Sequence, residues 1–153
     1  MKTNGFLGID IGTQGLSVIF TDTELKILAS GEGDYDMVSG LDSECYEQQP
    51  YDWENALTCA MTALREKTSS MQIDMDVLAI GISGQMHGEV LTSKDGEPVG
   101  PARLWCDGRN EAEGNELTER LGTKCPKRMT AVRWLWTIRN QPEKAIHVSH
   151  LTT

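Results

Sequence analysis

The chain opens with three short apolar runs joined by tight turns, and this arrangement leaves few folds open. Phe6-Leu7-Gly8-Ile9-Asp10-Ile11 reads as a strand, Gly12-Thr13-Gln14-Gly15 as a tight turn, and Leu16-Ser17-Val18-Ile19-Phe20-Thr21 as a second strand. Asp22-Thr23-Glu24 makes another turn before a third strand, Ile27 to Glu32. Turns this short cannot carry a crossover, so the three strands form an antiparallel meander.

A polar loop over residues 35–49 follows, with Gly40, Asp42 and Glu44. Pro50 suits the first position of a helix, and Asp52 and Glu54 favour its positive end. Trp53, Ala56, Leu57, Ala60, Met61 and Leu64 recur at helical spacing, which predicts one face packed on the sheet. The apolar run Val77-Leu78-Ala79-Ile80-Gly81-Ile82 predicts a buried strand over 77–83. Strand, helix, strand in this order favours a parallel crossover, which makes the chain an α/β protein.

The remainder is less regular. Glu89 to Thr92, with a turn at Lys94-Asp95-Gly96, starts a hairpin, and Leu104 to Arg109 ends a further short strand. A helix is expected over Glu111 to Leu121, capped by Asn110 and stopped by Gly122. Met129, Val132, Leu135, Trp136 and Ile138 mark another helix that Pro142 breaks, with one of Trp134 and Trp136 in the core and the other at an edge. No closing element is expected after it.

Charge and composition narrow the function classes. The net charge of −9 argues against a general nucleic-acid binder, because phosphate backbones need a basic face. It leaves room for a phosphorylated cofactor held by backbone amides and a metal. No run is apolar and long enough to span a membrane, and no leader pattern precedes the first strand, so a cytoplasmic protein is expected. The cysteines Cys45, Cys59, Cys106 and Cys125 are widely spaced and read as reduced thiols. His147 and His150 read as a solvent-facing pair rather than metal ligands.

Three segments carry chemistry. Asp10 ends a strand directly before a glycine turn, where a carboxylate can hold a hydrated magnesium ion. Gly12 and Gly15 let backbone amides face a phosphate, and Thr13 adds a hydroxyl. The same residues also suit an ordinary hairpin turn, and taken alone the two readings stand level. No GxxxxGK[ST] pattern is present, so a phosphate site here is not a standard P-loop. The second segment, Ile82-Ser83-Gly84-Gln85-Met86-His87-Gly88, ends a strand in an amide, an imidazole and two glycines. That is suitable chemistry for a small polyhydroxylated ligand at the carboxyl edge of a sheet. A strand-to-strand turn with a neutral core His87 is the plain alternative. The third, Trp105-Cys106-Asp107-Gly108-Arg109, can pack an indole on a sugar face and hydrogen-bond hydroxyls. By themselves they read better as a helix-capping Asp107 with Arg109 as its ion-pair partner.

Taken in order, these segments resemble the amino-terminal lobe of the FGGY family of carbohydrate kinases, and Lys127 to Trp136 is similar to a later helix of that family. The first motif is shared with the wider actin, hexokinase and heat-shock-ATPase group; the Gln85-Met86-His87-Gly88 version is far more specific. It resembles members acting on a ketopentose, whereas members acting on glycerol place an Arg-Glu pair at Met86-His87. The resemblance covers essentially the whole chain. It implies an incomplete ribonuclease-H-like (actin/hexokinase-type) lobe spanning 1–153, one of two lobes with a cleft between them. In it an antiparallel three-strand meander leads into parallel strands with packed helices. It implies ATP-dependent phosphorylation of a ketopentose, D-xylulose to xylulose 5-phosphate, with ATP and magnesium as cofactors. The partners implied are the sugar and ATP, no nucleic acid and no membrane, with room for a homodimer.

Carried over residue by residue, Asp10 is the catalytic carboxylate and holds magnesium through water, and Gly12, Thr13 and Gln14 line the phosphate side. Gln85, Met86 and His87 bind the ketose, and Trp105, Asp107 and Arg109 shape its pocket. Ser17 stands where many members carry Lys or Arg. The family's catalytic base is an aspartate well beyond position 153, and its second phosphate loop and adenosine pocket lie further still. The chain alone is therefore expected to be inactive and, with apolar surface left bare, to associate. The competing reading is a non-catalytic, actin-like module that binds a nucleotide or a protein; it leaves Gln85 to Gly88 without a role.

Overall fold

A computed structural model describes residues 2–152 of the chain. They divide into two compact units, residues up to 36 with 51–84, and residues 37–50 with those from 85 onward. The first begins with the expected meander: β1 (Lys2–Ile11), β2 (Gly15–Asp22) and β3 (Ile27–Asp34), each antiparallel to the next. Each strand runs beyond its apolar run, since polar residues such as Lys2, Asn4 and Asp34 lie on exposed positions of the pleat. Alternation decides which side chains meet the core: Leu7, Leu16, Val18, Phe20 and Ala29 are buried.

After β4 (Glu47–Gln48), which belongs to the second unit, α1 (Pro50–Ser70) lies on the meander. Ala56, Ala60 and Leu64 are its buried stripe, flanked by half-buried Trp53, Leu57 and Met61, as the spacing predicts. Small residues on both sides allow an unusually close approach. A Cβ on Gly31 of β3 would sit 2.0 Å from the Ala60 carbonyl oxygen, and one on Gly33 would sit 2.2 Å from that of Ala56. The helix backbone thus rests directly on β3.

The crossover returns the chain to β5 (Asp74–Gly84), parallel to β1, in the order β3-β2-β1-β5. The parallel pairing agrees with the sequence, but the expected burial does not. Val77, Leu78, Ile80 and Ile82 are exposed, Ile82 at 71%. β5 is an edge strand, and among the described residues nothing extends the sheet beyond it. Its continuous apolar run is the pattern of a strand meant to be covered on both faces.

The second unit is built from short pieces. β6 (Val90–Thr92) runs into the expected turn, where Gly96 adopts φ +86° and Ser93 N–H donates to the Glu97 carbonyl. The strand expected at 104–109 is instead β7 (Ala102–Arg103), and the residues after it turn. β7 pairs with β4, so the region expected to be a plain polar loop supplies a strand. α2 (Glu111–Leu121) ends at Gly122, φ +63°, as expected. Asn110 precedes α2 without capping it: its side-chain amide donates to the Lys127 carbonyl at 2.6 Å. α3 (Thr130–Asn140) is followed by α4 (Pro142–Ala145), so Pro142 starts a helical turn as well as ending a helix. Trp134 and Trp136 are both half-buried, not one in and one out. A closing element does exist: β8 (His150–Thr152) pairs antiparallel with β6.

Candidate functional site

In the first unit, β1 delivers Asp10 to the carboxyl edge of the sheet, where its side chain is exposed. In register it faces Ser17 of β2 and Ser83 of β5, both small. An open depression of about 400 Å³ lies there, lined by Gly8, Asp10, Ser17, Gly81 and Ser83 among others. The glycine turn follows at once. Gly12 N–H donates to the Gly15 carbonyl at 3.0 Å. Behind it stands Tyr35, buried, whose hydroxyl donates to the Gly12 carbonyl (2.5 Å) and the Gly15 carbonyl (3.0 Å). Burial raises the Tyr35 pKa first, and the Asp10 charge raises it further, so the phenol stays protonated and able to donate. Thr13 is half-buried and Gln14 exposed at the tip of the turn.

A carboxylate at the strand end beside a turn of this kind fits one protein ligand of a mostly hydrated magnesium ion. Among the described residues no three His, Cys, Asp or Glu side chains gather into a site that would favour a fully caged metal. The donor set Asp10 offers is the sparse one magnesium accepts.

The second unit holds the other two segments. Met86 is exposed, and His87 adopts φ +60°, a left-handed conformation that a residue with a bulky side chain seldom takes. The kink turns the chain sharply before Gly88, whose carbonyl accepts from the Thr130 hydroxyl at 3.4 Å. Beyond it, Glu89 and Arg103 exchange both backbone hydrogen bonds, at 2.8 and 3.2 Å. Their side chains form a buried ion pair at 2.6 Å. Arg103 also donates to the Arg133 carbonyl and to the Thr137 hydroxyl, and its guanidinium lies 4.7 Å from the Trp136 ring centre. This pairing is the common stem from which the 85–88 loop and the 105–109 turn spring.

Trp105 is 49% exposed, a large aromatic side chain with half its surface open to solvent. Asp107 is different: it is 1% exposed, and its carboxylate accepts from Tyr46 N–H at 2.9 Å and from Arg109 Nε and Nη2 at 3.0 and 2.7 Å. Arg109 in turn pairs with Glu47 at 2.8 Å and lies over Trp136. Burial alone lowers the Arg109 pKa; the hydrogen bonds and charges of Asp107 and Glu47 outweigh it and raise it. Asp107 and Arg109 thus form the expected ion pair, but Asp107 does not cap a helix: α2 begins at Glu111, and the carboxylate is taken up by Tyr46 N–H and Arg109, which brace the turn that carries Trp105.

Sequence reasoning passed over Tyr35, Tyr46, Glu47, Gln48, Glu89 and Arg103. Gln48 is fully buried, and Gln85 Nε2 donates to its Oε1 at 3.1 Å. The sequence signal for this group was no more than the polar run Glu47-Gln48-Gln49 before the helix start at Pro50.

Residues 6–152 match the model of the FGGY family of carbohydrate kinases, N-terminal domain. The chain is similar to the xylulose kinase of Haemophilus influenzae, 32% identical over 94% of this chain and 31% of that protein. It is also similar to the xylulose kinase of Escherichia coli, 34% identical over 90% of this chain and 29% of that protein. The chain thus spans about a third of the length of these relatives. Among solved structures, a xyloylose kinase from Brucella ovis superposes with a TM-score of 0.89, at 27% identity over 97% of this chain and 31% of that one. A glycerol kinase from Plasmodium falciparum with ADP gives 0.77, at 26% identity over 94% of this chain and 30% of that one. The fold is the mixed α/β arrangement of sugar kinases of the actin/hexokinase-like group, as expected from the meander and its crossover.

Proposed function

Because this chain belongs to the FGGY family of carbohydrate kinases, we propose that it is the amino-terminal lobe of an ATP-dependent kinase for a ketopentose, D-xylulose in particular. The observation that carries the substrate class is the likeness to xylulose kinases over nine-tenths or more of the chain. The Gln85-Met86-His87-Gly88 loop supports it, since it carries an amide and an imidazole two residues apart on a kinked backbone.

In this reading Asp10 orients the hydrated magnesium and the transferring phosphoryl group, and Gly12, Thr13 and Gln14 face the phosphates. ATP with magnesium supplies the phosphoryl group and neutralises its charge. Gln85, Met86 and His87 hold the ketose, and Trp105 packs on its apolar face. Asp107 and Arg109 act at one remove, fixing the turn that bears Trp105. Catalysis by such a lobe is positioning and charge neutralisation, for which correct geometry matters more than any reactive side chain. Among the described residues no helix is long and apolar enough to cross a membrane, and the reading places the kinase in the cytoplasm. A homodimer is compatible with it.

The test is an ADP-release assay on a complete kinase carrying this lobe, with magnesium and ATP, against D-xylulose, other ketopentoses and glycerol. D-xylulose is expected to have the highest kcat/KM; a preference for glycerol overturns the assignment. In the same enzyme His87→Ala should raise the sugar KM about tenfold, the cost of roughly one lost hydrogen bond. The ATP KM should stay within about twofold. Equal effects on both would remove His87 from the sugar site. The 153-residue chain alone should show no turnover, and measurable ketose phosphorylation by it would overturn the two-lobe requirement.

A further inference from the structure

We propose that Gln48, seconded by Glu47, is a positioning residue that sets the sugar selectivity of the site, an inference that rests on the kinase reading above. Gln48 is 0% exposed. Burying a primary amide is costly unless it is hydrogen-bonded, so a glutamine at this position is held for its bonding, and one of its bonds is with Gln85, whose Nε2 donates to Gln48 Oε1. That bond spans 37 positions in the sequence and joins β4 to the loop that carries Met86 and His87.

Its neighbour does the same for the other segment. Glu47 pairs with Arg109, both side chains only about one-seventh exposed, and Arg109 grips the Asp107 carboxylate. The backbone adds two more ties, Tyr46 N–H to Asp107 and Leu104 N–H to the Tyr46 carbonyl. β4 is two residues long, too short to be stable by its ladder alone. Its side chains add to these backbone ties, and they reach the two segments that the proposed sugar site is made of. Adjacent residues of one extended strand point to opposite sides, which is how a two-residue strand can hold two partners at once.

The consequence is specificity. When Gln85 Nε2 donates to Gln48, the Gln85 amide can no longer rotate freely, and it presents donor and acceptor in one fixed order. Isomeric ketopentoses differ in which way a hydroxyl points, and a fixed amide distinguishes them where a rotating one does not. Groups built to hydrogen-bond a substrate discriminate well because a mismatched one leaves them unpaired. Gln48 touches no substrate in this scheme. It acts through Gln85.

The experiment uses two variants of a complete kinase carrying this lobe. Gln48→Leu removes the acceptor, while Gln48→Glu keeps one at the same place whether or not the carboxyl is protonated. Gln48→Leu should raise the D-xylulose KM about tenfold. It should also shrink the kcat/KM ratio between D-xylulose and other ketopentoses by a similar factor, with the ATP KM within about twofold. Gln48→Glu should restore most of both. Should the leucine variant fail to fold, Gln85→Ala, at a half-buried position, must produce the same loss of selectivity. Parallel increases in both KM values, or a glutamate variant as impaired as the leucine one, overturn the proposal. A second readout separates it from the kinase reading. In nuclear magnetic resonance spectra of this chain, the Gln85 side-chain amide should be dispersed and slow to exchange, and should lose both features in Gln48→Leu. If the wild-type kinase prefers glycerol yet this signature is present, the substrate assignment fails and the Gln48 contact stands. If D-xylulose is preferred and the signature is absent, the Gln48 proposal fails alone.

Discussion

Gly31→Val should destabilise the chain by more than about 3 kcal/mol, the upper part of the range for overpacked cores. The reason is geometric. The first side-chain carbon would stand 2.0 Å from the Ala60 carbonyl oxygen and 2.9 Å from the Leu64 backbone nitrogen. Both are backbone atoms of α1, so no rotamer change relieves the clash and the helix itself must lift from β3. Lifting it uncovers Val18, Phe20 and Leu64, which are completely buried, each contributing about 1.5–3 kcal/mol by burial. For a domain of this size the thermal midpoint should fall by on the order of 10 °C, read by circular dichroism. Gly81→Val is the control, because a Cβ there meets nothing within 4 Å and a β-branched residue suits a strand. It should leave the midpoint within a few degrees. A Gly31→Val chain as stable as Gly81→Val would mean that α1 does not rest on β3 as described.

Much of the first unit was legible because its signals are local. The meander follows from short turns between apolar runs, and α1 from a proline start and a helical stripe whose inner members, Ala56, Ala60 and Leu64, are the buried ones. The glycines that let α1 touch β3 were not legible in that role, since Gly31 and Gly33 read only as ordinary members of a strand. β5 was legible as a strand and misread in burial. Its apolar run says what the strand is suited to, whereas its exposure depends on which elements stand beside it, and among the described residues only β1 does so in the sheet. β4, β7 and β8 are two or three residues long and carry no periodicity to detect. They exist because of partners far along the chain.

The site divides in the same way. Asp10 and its turn are contiguous, and so are Gln85 to Gly88, so their residue types show in the sequence. Asp107 and Arg109 were legible as a pair because they are two apart, and their bidentate contact is local. What fixes these segments was hidden. Gln48, Glu47 and Tyr46 act across the fold, and nothing in a polar stretch before a helix distinguishes a glutamine that will be fully buried. Tyr35 reads as a residue just past a strand, yet its hydroxyl closes the back of the glycine turn. Residues that present chemistry sit in motifs, while the residues that hold them in place are recruited by tertiary contact.

Asp10→Asn should lower kcat of a complete kinase carrying this lobe by about 10²–10³-fold, the loss typical when one preorganised charge-stabilising group is removed. Asparagine keeps the shape of the side chain and removes its charge. Asp10 is exposed at the strand end, facing Ser17 and Ser83 in register, so the fold should not suffer, and the thermal midpoint should move by no more than a few degrees. The sugar KM should also stay within about twofold, because the residues proposed to hold the ketose lie elsewhere in the chain. A kcat within about threefold of wild type would take Asp10 out of the phosphate machinery. The same variant has a readout that does not depend on turnover. Burial and then the Asp10 charge hold the Tyr35 pKa above its ordinary value, because a nearby negative charge opposes forming phenolate. Neutralising residue 10 removes the second cause and leaves the first. Tyr35 should therefore ionise at a lower pH in Asp10→Asn than in the wild-type chain, though still above an unburied tyrosine, when followed by ultraviolet absorbance with Tyr35→Phe as the blank. An unchanged Tyr35 titration would mean that Asp10 does not face the turn that Tyr35 supports, and the carboxylate would lose its claim to the phosphate side as well.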